Sequence, residues 1–126
     1  IASHLASLRV SHTIVTRGPA GVSWIDHGAG EQRDYPPEPC TVRDVTGAGD
    51  AFVAGFVAGL LSYPGRTGTG VTRFQQGAVL AALGVARRAS AAVVSSAGST
   101  LAAKDVEWIR SSAPSQNLGA GRVQSS

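Results

Sequence analysis

The chain has 126 residues, 43% hydrophobic and 15% charged, with a formal net charge of +3, a balance that favours a globular core over a disordered chain. Its eleven basic and eight acidic residues are scattered, with only Arg87 and Arg88 adjacent, which argues against a nucleic-acid surface and suits a small anionic ligand. Cys40 is the only cysteine, so an internal disulfide is excluded and an intracellular, cytoplasmic setting is the expectation. The longest apolar run, Ala51 to Leu61, is about half a bilayer span, and no charged leader with an apolar core opens the sequence, so no membrane association is expected. There is no methionine, and the first residues read as a helix already under way; the sequence reads as a piece of a longer chain.

In chain order, residues 2 to 9 carry Leu5 and Leu8 three apart, the spacing of a helix's last turns. His12 to Thr16 is a short β-branched strand, and Arg17-Gly18-Pro19-Ala20-Gly21 is a turn. Val22 to Ile25 and Arg33 to Tyr35 predict a hairpin around His27 to Gly30, stopped by Pro36, Pro37 and Pro39. Cys40-Thr41-Val42 reads as a brief strand leading to Asp44. Ala51 to Ser62 predicts a helix buried on most of its faces, with Gly55 and Gly59 allowing a close neighbour. After a breaker-rich connector, a second helix is expected from about Arg73 to Arg88, with Phe74, Ala78, Ala81, Ala82 and Val85 on one face and Arg87-Arg88 near its C-terminus. Ala91 to Val94 reads as extended, Ser95 to Ser99 as a small-residue loop and Ala103 to Arg110 as a terminal helix. Residues 111–126 look like a disordered tail, leaving 1–110 as the folded part.

The stretch richest in chemistry is Asp44-Val45-Thr46-Gly47-Ala48-Gly49-Asp50, which runs from a polar turn into an apolar helix. Two glycines around an alanine leave backbone N–H groups free to converge on an anion at the helix's positive end. Asp50, in the first turn, stands where a substrate hydroxyl would lose its proton. An ordinary turn and helix start, with Asp50 serving only the dipole, is the alternative.

Thr46-Gly47-Ala48-Gly49-Asp50-Ala51-Phe52, with Asp44 and Gly55, resembles the signature of the ribokinase-like, or PfkB, family of carbohydrate and nucleoside kinases. The resemblance extends from Val10 to about Ile109 but to less than half of a family kinase. It implies a ribokinase-like layered α/β/α fold, of which this chain is the C-terminal, ATP-binding and catalytic portion. It implies an enzyme that moves the γ-phosphoryl of ATP to a primary hydroxyl of a sugar or nucleoside, with Asp50 as the base and Gly47, Ala48 and Gly49 as the anion hole. Thr16, Gly18 and Gly21 resemble the family's Thr-x-Gly-x-x-Gly segment at the ATP phosphates. Ala82, Leu83 and Ala86, with Gly98 in the following loop, fall where relatives wall the adenine, although plain core packing explains the alanines as well. Asp44 and Thr46 occupy positions that relatives use beside a monovalent cation, K+; a cap or turn carboxylate is the other reading of Asp44.

The reaction also requires Mg2+, and the family's Asn-x-x-Glu magnesium motif does not occur in these residues. His4, His12 and His27 show no ligand spacing, so no metal site built from side chains is indicated. The implied partners are ATP and a small sugar or nucleoside, with no nucleic acid and no membrane, and a homodimer is left open for the full-length protein. Two other readings remain: a nucleotide-binding but non-catalytic remnant or truncated kinase, and a hydroxymethylpyrimidine or pyridoxal-type kinase, whose relatives differ around the anion-hole motif.

Overall fold

The computed structural model describes residues 2–64, 75–96, 104, 106, 107 and 122–125. The chain divides into two compact units, one of residues 1–37 with 120–126 and the other of residues 38–119.

The first unit contains helix α1 (Ala2–Ser7) and the strands β1 (His12–Thr16), β2 (Val22–Asp26), β3 (Glu31–Tyr35) and β4 (Arg122–Ser125), which pair in the order β1-β2-β3-β4. Every pairing is antiparallel; for β1–β2 and β2–β3 this follows from connections of five and four residues, since a parallel neighbour needs a crossover of a dozen or more. Lying between β1 and β3, β2 is buried at Val22, Ser23, Trp24 and Asp26. Trp24 is fully enclosed, with the His12 ring stacked on it at 5.9 Å and the Arg33 guanidinium over it at 5.6 Å. The β2–β3 turn is closed by Asp26, whose Oδ1 accepts the N–H groups of Gly28 and Ala29 at 2.8 and 2.9 Å, the usual device by which a short carboxylate fixes a turn.

β4 lies in the segment that the sequence marks as tail. Val123 registers against Arg33 and Arg122 against Asp34, so these four residues satisfy the open edge of β3. Composition hid this strand, since serine and glutamine around one valine carry almost no strand signal.

The second unit is built on helices α2 (Ala48–Ser62) and α3 (Gln76–Ser95). They approach closely because α2 presents glycine: a Cβ on Gly59 would stand 2.7 Å from the Ala82 Cα, and one on Gly55 2.8 Å from the Ala89 Cβ and 3.0 Å from the Ala86 Cα. Outside the α2 contact, Arg87 pairs with Glu38 at 3.1 Å. Arg88 is buried, and desolvation holds its guanidinium below the ordinary arginine range.

Four expectations change here. Cys40 to Val42 forms no strand; instead the Arg43 and Asp44 N–H groups both donate to the Val94 carbonyl, at 2.8 and 3.2 Å, so this segment is tied to a helix end rather than to a ladder. The α2 helix starts three residues early, at Ala48, and buries only Phe52, Gly55 and Gly59, because one side alone meets α3. The α3 helix runs through Ala91 to Val94 to Ser95: no glycine or proline lies between Arg88 and Ser95, and burial of Ala91, Ala92 and Val93 overrides the β-branched preference of the two valines. Arg87 and Arg88 therefore lie inside the helix, not at its end. Lys104, Val106 and Glu107 are helical, and the remainder of the expected terminal helix, like Phe74, lies outside the described residues.

Gly59→Val should lower the unfolding free energy by about 2 kcal/mol, within the range of overpacking, since its branches would meet the Ala82 backbone. Urea denaturation of the wild-type and variant chains measures this.

Candidate active site

The loop from Asp44 to Asp50 is assembled from backbone up. Asp44 Oδ1 accepts the Thr46 N–H at 2.8 Å, closing an Asx turn. Gly47 follows with φ 79° and ψ 1°, left-handed, as the residue preceding the helix; this conformation costs an L-residue with a side chain about 1–2 kcal/mol. The chain then turns into α2, with the first helical bond running from the Ala51 N–H to the Gly47 carbonyl at 2.9 Å.

What matters chemically is what the cap lacks. A serine, threonine or aspartate before a helix spends its side-chain oxygen on the first N–H groups; glycine has none, and no side-chain cap bond forms. The N–H groups of Gly49 and Asp50 in the first turn have no intrahelical acceptor. A Cβ on Gly49 would meet nothing within 4 Å, so the space above the turn is open to a ligand. The Ala48 N–H is turned back onto the Val45 carbonyl at 3.2 Å, leaving Gly47, Gly49 and Asp50 as the donors better placed for an anion. Asp50 lies exposed in the first turn.

Asp44 and Thr46 are closed on each other. Hydrogen bonds from the Thr46 backbone and then its side chain hold the Asp44 carboxyl below the ordinary aspartate range, against a small opposing effect of desolvation. One carboxylate oxygen is thus engaged in the turn, which supports the turn-carboxylate reading. Sequence reasoning did not find the second anchor of this loop, the Val94 carbonyl; a backbone acceptor leaves no mark in residue type.

In the first unit, the turn from Thr16 to Gly21 carries a short 3-10 helix, Gly18–Ala20. Gly18 has φ 54° with open space around its Cα, while Gly21 has φ 90° and sits against the Tyr35 carbonyl and Pro36. The Gly21 N–H donates to the Gly18 carbonyl at 3.0 Å, and the Arg17 N–H to the Gly21 carbonyl at 2.8 Å. Gly21 therefore holds the turn together, whereas Thr16 and Gly18 are exposed. Arg17 pairs with Asp34 at 3.4 Å, and Asp34 also accepts the Ser23 hydroxyl at 2.5 Å.

Ala82 and Ala86 are completely buried against the glycines of α2, so helix packing accounts for both. Gly98 lies outside the described residues. Among the described residues, no group of three or more His, Cys, Asp or Glu side chains gathers to hold a metal. The α3 helix has the length and composition to cross a bilayer, with more than half of its most apolar window buried inside the protein, as in a core helix.

Comparison with known proteins bears on the family and the fold. Residues 1–105 match the model of the pfkB family carbohydrate kinases. A fructokinase of Klebsiella pneumoniae is 46% identical over 50 residues, 40% of this chain and 16% of that protein. Among solved structures, a Vibrio cholerae fructokinase double mutant, bound to fructose, ADP and potassium ion, superposes with TM-score 0.60 at 24% identity over 77% of this chain and 28% of its own. Aminoimidazole riboside kinase from Salmonella enterica, complexed with aminoimidazole riboside and an ATP analogue, gives TM-score 0.64 at 24% identity over 84% of this chain and 34% of its own. These neighbours have the ribokinase fold, to which this α/β piece conforms, and the chain spans about a third or less of their length.

Because the Asp44 carboxyl is depressed in the folded loop, its contribution is fully present above the ordinary aspartate value and is lost as pH falls through the lower folded value. The Thr46 amide resonance should accordingly titrate with a midpoint below that of an unstructured aspartate, and Asp44→Ala should abolish the titration. The match over residues 1–105, read with the glycine-capped loop at Asp44 to Asp50, makes this chain a member of the pfkB family of carbohydrate kinases.

Proposed function

We propose that the Asp44–Asp50 loop is the phosphoryl-transfer centre of an ATP-dependent kinase acting on a primary hydroxyl of a sugar or nucleoside. The observation that carries this reading is the left-handed, side-chain-free cap at Gly47, which leaves first-turn N–H groups open beside the exposed Asp50 carboxylate. Asp50 accepts the hydroxyl proton as the hydroxyl oxygen bonds to the γ-phosphorus. The bond from that phosphorus to the bridging oxygen breaks, and ADP leaves. The N–H groups of Gly47, Gly49 and Asp50, with lesser help from Ala48, meet charge on the phosphoryl oxygens as it passes between them, where fixed dipoles do most for a transition state.

Thr16 and Gly18 suit contacts to nucleotide phosphates through a hydroxyl and an unencumbered backbone, while Gly21 preserves the turn that presents them. Magnesium, when bound, screens the β and γ phosphates, and is held in this reading chiefly by the nucleotide and water. Asp44 keeps one oxygen outside its turn bond, which together with the potassium in the Vibrio neighbour supports a monovalent cation near Asp44 and Thr46. Fructose and aminoimidazole riboside in the two neighbours support an alcohol acceptor on a sugar ring or riboside. A cytoplasmic setting fits substrates of this kind.

The short span relative to the relatives favours a second, narrower reading: by itself the chain is a nucleotide-binding portion that turns over only within a complete domain. In that case ATP with magnesium raises its melting temperature without any turnover.

In a complete kinase carrying these residues, Asp50→Asn should reduce kcat about 10²–10⁴-fold, the usual contribution of a positioned base, with little change in the KM for ATP. Steady-state assay across a panel of sugars and nucleosides measures both. Near-normal turnover by the variant would remove Asp50 from the chemistry.

A further inference from the structure

The chain reaches the Asp44–Asp50 loop through residues 38–43, all in the second unit. Pro37 and Pro39 flank Glu38; neither has an N–H to donate, and each holds the residue before it extended. Among the described residues, Pro39, Cys40, Thr41 and Val42 form no backbone-to-backbone hydrogen bond. At the end nearer the loop, the Arg43 and Asp44 N–H groups share the Val94 carbonyl. A single shared acceptor is a pivot: it fixes a point and leaves a direction open.

A second tie lies at the other end of the segment, where Glu38 pairs with Arg87 at 3.1 Å, the two side chains 15% and 10% exposed. Arg87 and Val94 stand about 10 Å apart along the α3 axis, while the chain from Glu38 to Arg43 can extend to about 17 Å. The segment is therefore not drawn taut from Val94 alone, and the Glu38 tie decides how it lies. Glu38 also faces Arg88, which is 3% exposed and whose Nε and Nη2 have no hydrogen-bond partner among the described residues. Desolvation disfavours the Arg88 charge most, the Glu38 carboxylate favours it and the Arg87 charge opposes it. An exposed ion pair is dispensable, but one that faces buried guanidiniums is costly to halve, because the charge left behind is not solvated.

We infer that Glu38 is a positioning residue for the Asp44–Asp50 loop: its pair with Arg87 is the second anchor that, with the Val94 carbonyl, sets the direction in which residues 38–43 deliver the chain to Asp44. Its consequence for phosphoryl transfer rests on the function proposed above for that loop. The anchoring itself is a property of the second unit alone.

Amide hydrogen exchange followed by NMR in the 126-residue chain separates local positioning from overall stability. Glu38→Gln should speed exchange at Arg43, Asp44 and Thr46 about tenfold through local opening, and should lower the melting temperature because Arg88 loses its counter-charge. Arg87→Gln should reproduce the fast exchange, and Arg88→Met alone should leave exchange in the loop as in the wild type. The double variant Glu38→Gln/Arg88→Met should recover most of the lost melting temperature while the loop still exchanges fast. Loop exchange unchanged by Glu38→Gln or by Arg87→Gln, or loop exchange that slows in step with the recovered melting temperature of the double variant, would overturn the inference. Wild-type loop amides that ignore ATP and magnesium, with the exchange pattern as expected, would instead remove the phosphoryl-transfer reading and keep the anchor.

Discussion

The second unit depends on one close contact, the glycines of α2 against the alanines of α3. With Cβ positions less than 3 Å from Ala82 and Ala89, Gly55 and Gly59 admit no side chain, and the helix axes come as near as backbones allow. Glycine inside a helix costs roughly 1 kcal/mol each relative to alanine, and the contact must offset that through dispersion between tightly packed atoms. In return the axis of α2 is fixed against α3, and with it the direction in which its N-terminus points. The Val94 carbonyl, near the far end of α3, holds the chain just before the loop through the Arg43 and Asp44 N–H groups. The loop is thereby fastened at both ends to the same pair of helices.

That fastening holds the exposed loop in one shape without a side-chain cap, as the proposed chemistry requires. Many helices satisfy a first-turn N–H with the side-chain oxygen of the capping residue; here Gly47 offers none, and the local dipole remains available. Preorganised donors contribute to catalysis because they need not reorient as charge develops. The Asx turn at Asp44 does the preorganising: its carboxylate fixes Thr46, and Thr46 delivers the chain to the left-handed Gly47.

Much of this was legible in the sequence, and the rest was hidden for identifiable reasons. The β1 strand, the β2–β3 hairpin and the glycine-marked loop were readable because β-branched runs, turn residues and a glycine-rich run into an apolar helix are local signals. The true extent of α3 was not, since Val93 and Val94 favour strand in isolation and only burial in the helix decides otherwise. Arg122 to Ser125 read as tail because their place in a sheet comes from the edge of β3, some ninety residues earlier in the chain. Ala82 and Ala86 illustrate a third limit: small apolar residues suit a ligand wall and a helix contact equally, and only the position of Gly55 and Gly59 distinguishes the two. For the proposed site, the residue types of the loop were enough to single out Asp50 and the glycines as candidates, but not the ordering of donors, which follows from the Ala48 N–H being turned toward Val45.

The central claim, that the glycine-capped start of α2 receives a phosphoryl group, is tested most directly by backbone amide NMR of a complete kinase carrying these residues during titration with a non-hydrolysable ATP analogue and magnesium. The account predicts that the amides of Gly47, Gly49 and Asp50 shift together along one binding curve, with Ala48 moving less. Saturation of the nucleotide site with those three amides unmoved would contradict it.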